Sequence, residues 1–144
     1  MSLAPSSLRL AIAGAALACA GAGAPLAAQS AAPPAPTRSA AQGVFTEAQS
    51  QRGETTFRTI CAACHMIAEF NGEPWLKRWP TVGGLFEVVS STMPQDNPGA
   101  LTPQQYSDVL AYFLKANGFP TGGEELPSAA PPLNAIAIPP KPPR

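Results

Sequence analysis

Three stretches of the chain carry apolar residues at helical spacing, each bracketed by polar start or stop signals. From Glu47 the sequence runs without proline to Ile60, with Thr46 at the N-cap and Gln49 three residues on, the pattern of a capping box. Gly53 and Phe57 lie four apart on one face of this helix, so the glycine permits close approach of a neighbour while the ring fills the contact beside it. Another helix is predicted to start at Thr102, with Pro103 at the first helical position and Gln105 completing a second box. Its apolar stripe is Tyr106, Val109, Leu110, Phe113 and Leu114, and Asn117-Gly118 supplies a left-handed stop. Tyr112 falls off that stripe; packed on Gly53 and Phe57, it would make the two helices cross. Between them, Thr81 to Ser90 carries Val82, Leu85, Phe86 and Val89 at the same spacing, which predicts a short middle helix. Nothing sustains a period of two, so the expected fold class is all-α.

The two ends of the chain read differently. Arg9, the apolar run Leu10 to Ala20 and the small residues ending Leu26-Ala27-Ala28 have the order of an export signal, cleaved after Ala28. The run is shorter than the about 20 residues that span a bilayer. A second reading makes Cys19 the lipidated first residue of a lipoprotein, although the position three before it is Ala16 rather than leucine. Residues 29–43 are dominated by Ala, Pro, Gln and Ser and read as a flexible linker, and residues 127–144 read as a disordered Pro-rich tail. One compact domain is left, residues 44–126, small for an independent core unless a bound group fills part of it. Formal net charge is zero. That removes the case for nucleic acid or an anionic membrane surface as partner, leaving the membrane only to a lipidated Cys19.

Cys61-Ala62-Ala63-Cys64-His65 is the chemically decisive segment. Two cysteines three apart with an adjacent histidine form the attachment sequence of c-type haem: each thiol bonds one vinyl group and the histidine takes the iron. A structural zinc would need four protein ligands, and past the leader only Cys61, Cys64 and His65 offer sulfur or imidazole. A thioredoxin-like pair would follow a strand and open a helix, whereas here a predicted helix leads into the cysteines. His65 is the only histidine, so one covalent haem c and no bis-histidine ligation follow. For the opposite face of the iron there are three methionines. Met1 lies in the leader and Met66 is tied to the His65 side; Met93 remains, on a loop that Pro94 holds extended. There is no serine-histidine-carboxylate set and no Gly-rich phosphate loop, so no enzyme activity is expected.

With these blocks in place, the chain from about Phe45 to Leu126 resembles small bacterial class I cytochromes c, especially those serving periplasmic quinoprotein dehydrogenases. The resemblance rests on Cys-Ala-Ala-Cys-His, on Thr92-Met93-Pro94 with Pro98-Gly99-Ala100-Leu101, on Tyr106 to Tyr112 and on Asn117-Gly118-Phe119-Pro120. It implies a small cytochrome c fold, with the N- and C-terminal helices crossing and a short middle helix around one haem. It also implies thioethers at Cys61 and Cys64, iron ligation by His65 and Met93, and Trp79 with Arg78 near a haem propionate. In the family a proline carbonyl about ten residues past the histidine accepts its outer N–H; this chain is shortened there, and Pro74 is the expected replacement. The implied function is a monomeric periplasmic one-electron shuttle, with a quinoprotein dehydrogenase as donor and an oxidase or another cytochrome as acceptor. The alternatives are a haem sensor or peroxidase-like protein with a labile Met93, and a fixed subunit of a dehydrogenase or oxidase complex.

Overall fold

The structure, a computed structural model, describes residues 35–140; the leader and Cys19 lie outside the described residues. The described chain is mostly helical, with α1 (Glu47–Thr59), α2 (Glu73–Leu76), α3 (Val82–Thr92), α4 (Pro103–Ala116) and α5 (Ala130–Asn134). Two short strands, β1 (Arg38–Ser39) and β2 (Ile136–Ala137), pair in parallel. None of the described helices is long and apolar enough to cross a membrane.

The helix starts follow local chemistry. Thr46 Oγ1 accepts from the Gln49 amide at 3.0 Å, Thr81 Oγ1 from Gly84 at 3.1 Å and Thr102 Oγ1 from Gln105 at 3.2 Å, each satisfying a first-turn N–H that has no partner within the helix. At α4 the Gln105 side chain closes the box by accepting from the Thr102 amide. At α1 it does not close. Gln49 is fully buried; its Oε1 accepts from the Leu126 amide and its Nε2 donates to the Leu126 carbonyl and to Ser107 Oγ. A residue expected to cap its own helix instead fastens a distant segment to α1 and α4.

Helices α1 and α4 make the main contact of the fold. Gly53 is what lets them meet: a Cβ there would sit 1.8 Å from the Asp108 carbonyl oxygen. Asp108 is therefore the close neighbour of Gly53, while Tyr112 lies one turn further along, its ring 5.6 Å from that of Phe57. Arg52 brackets the crossing with two hydrogen bonds to Asp108 at 2.9 and 3.0 Å and one to Glu125 at 2.8 Å. At the far end of α4, Gly118 takes the left-handed conformation at φ 86°. Asn117 is buried beside it, its amide donating to the Phe70 and Phe113 carbonyls and its carbonyl accepting from Gly72. That one side chain pins the loop after the cysteines onto α4.

The expected linker and tail boundaries are corrected by the ends of the described chain. Leu126, Leu133, Ile136 and Ile138 are buried, as is Ala40 before α1. The amides of Thr37 and Arg38 donate to the Ala135 carbonyl, and Ile138 donates to Pro80. Helix α5 packs on α3, where Gly83 leaves room for Asn134; a Cβ at Gly83 would lie 2.1 Å from its Oδ1. The folded unit thus includes β1 before residue 44 and β2 after residue 126. Prolines dominate the composition of this tail, but the few aliphatic residues among them are spaced to cover the outer side of α3.

Candidate functional site

Helix α1 ends at Thr59, and the chain tightens at once into a 3-10 turn over Cys61–Ala63. The Cys64 and His65 amides both donate to the Cys61 carbonyl, at 3.1 and 3.0 Å, so the turn folds the two thiols and the imidazole toward one side. Cys61, Cys64 and His65 all line a single cavity of about 1050 Å³. This is just above the about 300–1,000 Å³ typical of small-molecule and cofactor sites. Both thiols are free, and burial pushes the Cys61 thiol above its ordinary pKa.

Met93 reaches the same cavity from the C-terminal end of α3. Its backbone is extended, at φ −122° and ψ 150°, and its amide still donates to Val89. The Met93 carbonyl accepts from the Tyr106 hydroxyl at 2.6 Å and from the Gly99 amide at 3.3 Å. Tyr106 in turn accepts from the Leu101 amide, so a phenol on α4 ties both ends of the 93–101 loop. Its place in the apolar stripe gave no hint of this role.

The walls are aromatic. Phe70 stacks on Phe113 at 4.7 Å, and Phe57 and Trp75 meet Phe113 edge-on; Leu85, Val88 and Val89 close the α3 side. Trp79 completes the lining, and its indole Nε1–H is buried with no hydrogen-bond partner. A buried donor without an acceptor costs about 1–3 kcal/mol.

The environment of His65 differs from the expectation. Its Nδ1 lies 3.2 Å from Glu69 Oε2, while Glu69 Oε1 accepts from the Met66 amide at 3.1 Å. Those two contacts, the backbone one first, hold the Glu69 carboxyl below the usual carboxylate range. Pro74 is exposed at the start of α2 and lines no part of the cavity, so the shortened loop supplies a carboxylate rather than the expected proline carbonyl. Arg78 is likewise exposed and outside the lining, although Trp79 beside it lies within. Glu69 stands four residues past His65, a spacing visible in the sequence that could have drawn attention to it.

The donor set fits a haem c. Two free thiols, an imidazole whose Nδ1 is already engaged, a thioether arriving from a separate loop, apolar walls and an unsatisfied indole N–H are the groups such a cofactor uses. Among the described residues no three His, Cys, Asp or Glu side chains gather as a group that could hold a metal ion. No protein-family model, curated protein or solved structure matches the chain.

Proposed function

We propose that the protein is a periplasmic one-electron carrier resembling the class I cytochromes c, with one haem c in the cavity. Cys61 and Cys64 would hold it covalently, and His65 Nε2 and Met93 Sδ would take the two faces of the iron. The observation that carries this reading is the meeting of Cys61, Cys64, His65 and Met93, from two distant segments, on one apolar cavity. The crossing of α1 and α4 with α3 at the cavity wall supports the small cytochrome c fold. The export-like leader supports the periplasm, where c-type attachment takes place.

A bound haem supplies an iron that takes up and gives back one electron. The remaining work falls to the chain's own groups. Tyr106 and Gly99 hold the Met93 backbone through its carbonyl at the edge of the cavity, which would favour the same ligand in both oxidation states. Phe57, Phe70, Trp75 and Phe113 exclude water from the histidine side and lower the reorganisation that accompanies a change of charge. Trp79 N–H would donate to a propionate. A soft sulfur ligand would favour the reduced state, and the resemblance points to a periplasmic quinoprotein dehydrogenase as the donor.

A spectroscopic redox titration tests the function. The expected result is a single reversible one-electron transition, low-spin in both states, with a ferrous spectrum that carbon monoxide leaves unchanged. A high-spin ferrous form that binds carbon monoxide would instead make the protein a sensor or peroxidase-like catalyst.

A further inference from the structure

We propose that Glu69 is the positioning partner of His65, and that its carboxylate holds the haem iron at a lower reduction potential than a neutral acceptor would. The proposal rests on the reading of His65 as an iron ligand. The 3-10 turn Ile67–Phe70 folds position 69 back toward the histidine, and the two oxygens of one carboxylate are divided: Oε1 accepts from the Met66 amide at 3.1 Å and Oε2 meets His65 Nδ1 at 3.2 Å. The backbone contact fixes the carboxylate, and the carboxylate then fixes the imidazole with Nδ1 protonated and Nε2 free for the cavity. Phe70, next in the chain, lies against the His65 ring with centroids 5.2 Å apart, limiting its rotation. A carboxylate accepting the outer N–H makes the inner nitrogen a stronger donor, which stabilises ferric over ferrous iron. Half-exposure of the Glu69 side chain weakens the effect through screening without removing the direct hydrogen bond.

Glu69→Gln keeps the shape and an acceptor but removes the charge. Glu73→Gln, four residues on and paired with Lys77 rather than His65, removes a nearby surface charge without touching the imidazole. The measurement is the midpoint potential of each purified holoprotein, with a ferric spectrum and a check for covalent pigment. Glu69→Gln should move the reduced-to-oxidised ratio, at a poise fixed on the unsubstituted midpoint, about tenfold toward reduced, or about 59 mV for a one-electron couple. Glu73→Gln should move it less than about twofold, and all three spectra should remain low-spin. Glu69→Ala, which also frees the imidazole, should shift the ratio in the same direction as Glu69→Gln. An unchanged midpoint in Glu69→Gln, or an equal shift in Glu73→Gln, overturns the proposal while leaving the covalent haem and its ligands in place. Absence of covalent pigment from the unsubstituted protein overturns both this proposal and the function on which it rests.

Discussion

At single positions the site separates into residues readable from spacing and residues that only folding brings into play. Cys61, Cys64 and His65 are legible because their geometry is local to one turn, and Met93 because the other methionines are placed elsewhere by the chain. Met93→Ala should convert a low-spin ferric spectrum to high-spin, remove the sulfur-to-iron charge-transfer band and lower the potential; an unchanged spectrum would assign the sixth position to another group. Trp79→Phe removes a buried donor that has no protein acceptor. If a propionate is its partner, the loaded protein should lose about 1–3 kcal/mol in guanidinium unfolding, whereas unchanged or increased stability would leave the indole without one. The contact of Tyr106 with Met93 depends on where a loop ends and has no local signal, whereas Glu69 is four residues past His65 and meets it because a 3-10 turn folds the chain back. The resemblance offered Arg78 and Pro74 as well; both are exposed and outside the cavity lining, and the contact expected of the Pro74 carbonyl is made by Glu69 instead.

Helices α1, α3 and α4 were legible because caps and apolar stripes are encoded within each element. What could not be read locally was how the elements close on one another. Gly53→Ala places a methyl into the Asp108 carbonyl, backbone against backbone with no flexible end to yield, and should cost about 3 kcal/mol or prevent folding; ordinary stability in the variant would show that α1 and α4 can slide apart at little cost. The terminal segment was hidden by its prolines, since composition averages away three well-placed aliphatic side chains, Leu133, Ile136 and Ile138. Leu133→Ala and Ile136→Ala should each lower unfolding free energy by about 2–5 kcal/mol. A free tail would show no change in either.

For the molecule as a whole, a formal net charge of zero leaves little long-range field, and the rim near Met93 includes the exposed apolar Val88 and one carboxylate, Asp96. Docking of a redox partner should therefore rest on a small apolar patch. In stopped-flow reduction by a quinoprotein dehydrogenase, the second-order rate should fall less than about tenfold as salt rises past the point where the Debye length reaches about 3 Å; a fall of several tenfold steps would reveal a localised charge patch guiding the encounter. All of this depends on one haem bonded to the two thiols that the turn after α1 gathers at the cavity. The most direct measurement is the mass and colour of the polypeptide after denaturation and acid extraction into organic solvent, compared with a Cys61→Ala, Cys64→Ala variant matured in parallel. The unsubstituted chain should keep its pigment and carry the mass of one added haem, and the variant should lose both. Pigment passing into the solvent from the unsubstituted chain would contradict covalent attachment.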